Sequence, residues 1–135
     1  MQITRQADYA LRAMVYLARL DPNESAATKK IAEVQRIPPS FLAKIISQLS
    51  IAKLINTSRG AHGGVKLARP SAEISLLQVI EAIDGPIELN ECTIDPGKCD
   101  NAENCPLHDI WQETQDQLVA KLRDTRFDKY AVKKN

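Results

Sequence analysis

Three cysteines and one histidine hold most of the chemistry this chain can offer: Cys92, Cys99, Cys105 and His108. They sit in a polar stretch rich in turn formers, ECTIDPGKCDNAENCPLHDIW over residues 91–111. Such a stretch has little apolar material with which to fold itself. Soft thiolates and an imidazole placed so close together suit a metal, whose binding would supply the missing folding energy. The donor set fits zinc and iron–sulfur alike. Neither the short Cys-x2-Cys steps of zinc fingers nor the ferredoxin run is present. The residues alone therefore point to a metal or redox site without choosing the metal. The competing reading is three scattered thiols in a loop.

The rest of the chain must position that stretch. At 135 residues it fits one domain, or one small domain with an appendage, and a modest core that dimerisation would support. No apolar run approaches a membrane span and no signal sequence opens the chain, so the expectation is a cytoplasmic protein. An odd cysteine count argues against a closed disulfide framework. The net charge of +1 hides an asymmetry. Residues 1–74 carry 11 Lys/Arg against 5 Asp/Glu, a balance of +6, and residues 75–135 carry 7 against 12, a balance of −5. A basic half favours a polyanion partner there.

Residues 4–20 place Ala7, Ala10, Leu11, Met14, Leu17 and Ala18 on one helical face, with Thr4 as cap and Asp8 in the first turns. A second helix fits residues 28–34, capped by Thr28. After a turn at 35–37, Pro38 and Pro39 open a third, with Phe41, Leu42, Ile45, Ile46 and Leu49 expected inside. Ser40, Ala43, Lys44, Ser47 and Gln48 are left outside. Helix, tight turn, helix, with short polar side chains outward on the second, is the pattern of a helix-turn-helix. Lys44 and Gln48 are long enough to reach phosphates or base edges. The plainer reading is a solvated helix face.

Residues 55–57 and 65–67 alternate as short strands around the tip SRGAHGG. A hairpin directly after a helix-turn-helix is a wing, and Arg59, His62, Lys66 and Arg69 surround it. An arginine there suits the minor groove or a phosphate. The spacing of a phosphate-binding loop is absent. Ser75 and Gln78 make a capping box for a helix with Leu76, Val79, Ile80 and Ile83 as its apolar set, broken at Gly85-Pro86. Pro106 is expected to open the last long helix. Its apolar stripe runs through Leu107, Ile110, Trp111, Thr114, Leu118, Val119 and Leu122.

The opening ITRQADYALRAMVYLA, the run IAEVQRIPPSFLAKIISQL, the wing TSRGAHGGVKLARP, the helix ISLLQVIEAIDG and the end CPLHDIW together resemble a known family. These are the IscR/NsrR/CymR winged helix-turn-helix bacterial regulators, of the iron–sulfur type. The resemblance implies a mainly α fold. Its parts are a winged helix-turn-helix domain over residues 1–84, a cluster-binding loop over 85–105, a dimerisation helix over 106–125 and a flexible tail over 126–135. It implies a cytoplasmic homodimer, with no membrane role and no enzymatic activity, that binds a partly palindromic duplex DNA operator as a repressor. Ser40, Lys44, Ser47, Gln48, Arg59, His62 and Lys66 are the expected DNA contacts.

The same resemblance makes Cys92, Cys99 and Cys105 the ligands of an iron–sulfur cluster, 2Fe–2S by preference and 4Fe–4S as the alternative. The cluster would sense iron or cluster supply, redox state or nitric oxide. His108 matches the histidine that completes a 2Fe–2S site in some members. Asp8 matches the first-helix aspartate that completes a 4Fe–4S site from the other subunit in others. His108 is preferred, since it and Cys105 are three apart at a helix start. The gap between Cys92 and Cys99 is one residue longer than in many cluster-bearing members, and Ala43 stands where an IscR-type protein has a glutamate used in operator choice. The alternative within regulation is a cluster-free protein of this fold, controlled by thiol oxidation or a protein partner. An iron–sulfur carrier or scaffold is the remote alternative from another class. It leaves the basic wing without a role.

Overall fold

Helix α1 (Arg5–Ala18) lies at the centre of the molecule and touches α2, α3 and α4 and the C-terminal turn. Its inner face is mostly alanine: Ala7, Ala10 and Ala13 are fully buried with Met14 and Leu17. Small side chains on one face let several neighbours approach it closely. Thr4 caps the helix as expected, its hydroxyl accepting from the Ala7 N–H at 3.1 Å. The computed structural model describes residues 2–61, 63–90, 93 and 105–131. His62, Cys92 and Cys99 lie outside the described residues.

Helix α2 (Thr28–Gln35) begins without a side-chain cap. Thr28, expected as the cap, is instead the first helical residue. Ala27 is the boundary, and its carbonyl accepts from the Lys30 and Ile31 N–H groups at 3.0 and 3.2 Å. Arg36 closes α2 in the left-handed conformation, with φ of 54°. Helix α3 (Pro39–Ile51) follows at once, with Pro39 in its first turn as expected. Leu42, Ile45, Ile46 and Leu49 are buried, but Phe41 is 41% exposed, against expectation. Phe41 stands at the edge of the inner face and meets Tyr9 of α1 edge to face, with ring centroids 6.2 Å apart.

Strands β1 (Ile55–Ser58) and β2 (Gly64–Leu67) form an antiparallel hairpin in which Ile55 pairs with Leu67 and Ser58 with Gly64. Ala26 extends this ribbon from the loop before α2. Its N–H donates to the Val65 carbonyl at 2.9 Å and its carbonyl accepts from the Val65 N–H at 2.8 Å. Helix α4 (Leu76–Asp84) has the full expected capping box. The Ser75 hydroxyl accepts from the Gln78 N–H at 3.2 Å, and the Gln78 side chain accepts from the Ser75 N–H at 2.9 Å. Gly85, at φ of 80°, ends it.

Helix α5 (His108–Asp124) starts two residues later than Pro106 implied, since Pro106 and Leu107 form a turn ahead of it. Its second half docks on α4, where Leu118, Val119 and Leu122 pack on Leu77, Ile80 and Ile87. Its first half leaves Ile110 and Trp111 exposed, as is Leu107 in the turn ahead of it. The expected loose tail is overturned for residues 126–131. Phe127 is fully buried in the main core within a 3-10 turn (Phe127–Tyr130). Its N–H donates to the Ile74 carbonyl at 3.1 Å, and Arg19 Nε donates to the Tyr130 carbonyl at 3.0 Å. One aromatic ring in the core is enough to fold back a polar segment. Among the described residues no helix is long and apolar enough to cross a membrane. The result is a mainly α fold with a two-stranded wing and a long C-terminal helix.

Candidate nucleic-acid interface and metal centre

The expected reading face is built by α3. Leu42, Ile45, Ile46 and Leu49 turn inward, so the helical period leaves Ser40, Ala43, Lys44 and Ser47 exposed. Gln48 differs. It is half-buried, and its Oε1 atom is buried without a hydrogen-bond partner among the described residues. A buried amide oxygen left unpaired is costly, so Gln48 is the residue of α3 with most to gain from a new donor.

The wing follows α3 through Lys53, a second non-glycine residue in the left-handed region at φ of 61°. Arg59 and Lys66 are both exposed. The turn between the strands depends on its glycines. A Cβ on Gly63 would press on the Ser58 carbonyl oxygen and lie 2.6 Å from the Arg59 carbonyl carbon. A Cβ on Gly64 would lie 2.7 Å from the Ala26 carbonyl oxygen, so the Ala26–Val65 pairing also requires glycine there.

The cysteine segment enters from α4 and leaves into α5. At its exit the His108 N–H donates to the Cys105 carbonyl at 3.2 Å, so the two expected ligands lie within one turn of each other. Cys105 is a half-exposed free thiol. The Nδ1 atom of His108 is buried and has no hydrogen-bond partner among the described residues. A thiol and an imidazole carried one backbone turn apart fit the donor chemistry of an iron–sulfur or zinc site. At its entry the segment is tied to α5, because the Leu89 N–H donates to Gln115 Oε1 at 2.9 Å. Among the described residues no group of three His, Cys, Asp or Glu side chains comes together as a metal site, and Cys92 and Cys99 are not among them.

Asp8 is placed differently. It is half-exposed on α1 and pairs with Arg12 of the same helix at 2.6 Å. Arg12 also lies over the Tyr9 ring, 5.5 Å from its centroid.

Sequence reasoning misses three residues at this interface. Phe41 reads as core, because its apolar nature outweighs its place at the edge of the helical face. Arg36 and Lys53 give no warning of their left-handed backbone, since a glycine or asparagine is the usual signal for one.

Comparison with known proteins adds the family. The family model for Rrf2, described as an iron-dependent transcriptional regulator, matches residues 3–132. Rv1287 of Mycobacterium tuberculosis (strain ATCC 25618 / H37Rv), a candidate HTH-type transcriptional regulator by name, is 36% identical over 128 residues. That match covers 93% of this chain and 78% of the relative. The HTH-type transcriptional regulator NsrR of Oceanobacillus iheyensis is 34% identical over 105 residues, covering 72% of this chain and 71% of that protein. Among solved structures, the oxidised form of CymR from Staphylococcus aureus superposes with a TM-score of 0.79 at 26% identity, covering 100% of this chain and 99% of that one.

Proposed function

The chain belongs to the Rrf2 family of DNA-binding transcriptional regulators, and we propose that it is a homodimeric repressor whose operator binding is governed by an iron–sulfur cluster. Cys92, Cys99 and Cys105 are the thiolate ligands in this reading, and His108 is the fourth. The observation that carries it is the Nδ1 of His108, buried and without a hydrogen-bond partner among the described residues, on a residue one backbone turn from Cys105. The description of the family as iron-dependent supports the same reading. A cluster would supply a centre that responds to electrons, oxygen or nitric oxide.

The protein's own part is transmission. Leu89 and Gln115 tie the entry of the cysteine segment to α5, and Cys105 and His108 form its exit. Any change of order between them shifts how α5 lies on Leu77, Ile80 and Ile87. Helix α4 packs on both α1 and α3, so the reading helix feels that shift. The exposed Ile110 and Trp111 on the first half of α5, with Leu107 just ahead of it, are the surface for a second copy. Two copies would present two α3 helices to successive half-sites, with Ser40, Lys44, Ser47 and Gln48 facing the bases and Arg59, His62 and Lys66 on the flanking groove. A shift of a few kcal/mol in the population of the competent dimer is enough for a switch.

The test is the anaerobic visible spectrum of untagged protein, read with iron and acid-labile sulfide content. The expected result is cluster absorption with both elements present, lost in Cys105→Ser. A colourless protein free of iron and sulfide after anaerobic reconstitution would overturn the cluster. A second reading keeps the DNA-binding dimer and replaces the cluster by thiol oxidation. The half-exposed free thiol of Cys105 favours it, as does the likeness to a CymR solved in an oxidised form. Iron-free protein whose DNA affinity changes with peroxide, and not in Cys105→Ser, would select that reading.

A further inference from the structure

At the C-terminal end of α1 a groove of about 480 Å³ lies between two stretches of chain. One bank is the end of α1 and the connection to α2, with Leu17, Ala18, Leu20, Asp21 and Pro22. The other is the end of β2 and the chain beyond it, with Lys66, Leu67, Arg69 and Pro70. Leucines and prolines from both banks make much of the wall apolar, and a few charged groups complete it. That size and that mixture suit a small molecule. We propose that the groove binds a small zwitterion, an α-amino acid with an apolar side chain, and that the bound ligand braces the wing.

Opposite charges line the two banks and do not pair. Asp21 on one side and Lys66 and Arg69 on the other are exposed, and their side chains make no ion pair or hydrogen bond among the described residues. Glu24, which also lines the groove, is already engaged, its carboxylate accepting from the Asp21 N–H at 3.2 Å. The Asp21 bank holds a second acceptor. Helix α1 ends at Ala18, and the residue four places on, where a helix would supply the next N–H, is Pro22, which has none. The Ala18 carbonyl is left without its helical donor, at the negative end of the helix. An ammonium is suited to that bank, with Asp21 as its counter-charge. A carboxylate is suited to Arg69, whose guanidinium can hold both oxygens. A ligand carrying one charge would leave the opposite bank unmatched. The same two stretches are joined by the Ala26–Val65 pairing, so a ligand spanning Asp21 and Arg69 adds a second tie between the α1–α2 connection and the wing. The plainer reading is a crease with solvated charges, which would not discriminate ligands by the charges they carry.

Full-length protein labelled with 15N is titrated singly with alanine, valine, leucine, isoleucine, methionine and phenylalanine, and the amide resonances are followed. At least one amino acid should shift Leu20, Asp21, Leu67 and Arg69 saturably. Its primary amide, which lacks the carboxylate, and its deaminated acid, which lacks the ammonium, should each bind about tenfold more weakly, because each loses a charge-assisted contact. Asp21→Asn should weaken the amino acid and leave the deaminated acid unchanged. Arg69→Gln should weaken the amino acid and leave the amide unchanged. Both side chains are exposed, so both variants should melt with wild type. No saturable shift with any of the six at millimolar concentration would overturn the site, as would analogues or variants that bind like the parent pair.

The bracing of the wing rests on the DNA-binding reading, and a second titration separates the two. The saturating amino acid should raise affinity for a labelled mixed-sequence duplex by at least about fivefold, and should not do so in Asp21→Asn. Unchanged duplex affinity at saturation would overturn the bracing. Absence of duplex binding at the lowest salt, with the amide shifts present, would overturn the DNA-binding reading and uphold the groove.

Discussion

The Thr4 hydroxyl donates to the Asp84 carboxylate at 2.6 Å while it accepts from the Ala7 N–H at 3.1 Å. One side chain therefore caps α1 and fastens it to the last residue of α4. Gly85 breaks α4 immediately afterwards, so this bond sits where the chain turns toward the cysteine segment. Asp84→Ala should destabilise the fold by about 1 kcal/mol, as for a partly solvated hydrogen bond. Thr4→Ala should cost about 1–2 kcal/mol, because the cap is removed as well. Chemical denaturation of both single variants and the double variant checks this. Additive losses would show that the two side chains do not interact.

Much of the fold is readable because local signals agree. The Thr4 cap, the Pro39 start, the capping box at Ser75 and Gln78, and the glycines of the wing each act within a few residues. What escapes is set by distant neighbours. Phe127 sits in a polar segment whose composition reads as frayed, and only the space beside α1 and Ile74 makes it a core residue. Phe41 fails the other way, because Tyr9 offers an edge contact and not a covered pocket. Of the candidate metal centre, the Cys105 and His108 spacing is legible, whereas the burial of Nδ1 depends on packing that no periodicity reports.

Phe127→Ala should be among the most damaging single changes. Emptying a fully buried phenylalanine site costs about 3–5 kcal/mol. The C-terminal turn should then release Arg19 from the Tyr130 carbonyl, raising hydrogen exchange across residues 126–131. A loss under about 1 kcal/mol would contradict the packing described for this segment.

In the wing, Gly64→Ala should separate two properties. The added methyl meets the Ala26 carbonyl, so the Ala26–Val65 pairing must open. DNA affinity should fall beyond the loss of global stability that comes from disturbing Ala26 and Val65, both members of the main core. Equal affinity at equal salt would mean that wing geometry does not matter to binding.

For the fourth ligand, His108→Ala and Asp8→Ala give opposite expectations. Helix α1 already engages Asp8 through Arg12, whereas His108, one backbone turn from Cys105, offers a ring nitrogen without a partner among the described residues. Mössbauer and resonance Raman spectra of the two variants, each purified anaerobically, should show loss or conversion of the cluster in His108→Ala alone. Conversion only in Asp8→Ala would assign the ligand to α1 of the other subunit and place this protein with the aspartate-ligated members.

A chain that reads DNA with α3 under the control of Cys92, Cys99, Cys105 and His108 must bind DNA differently with and without iron. The direct measurement is a DNA titration of the same anaerobic preparation before and after removal of iron by a chelator. The duplex would be one recovered from genomic DNA by the purified protein. The predicted result is at least about a tenfold difference in affinity between the two forms, equivalent to about 1.4 kcal/mol. That difference should be absent in Cys105→Ser. Equal affinities for the iron-loaded and iron-free protein would contradict control through these residues.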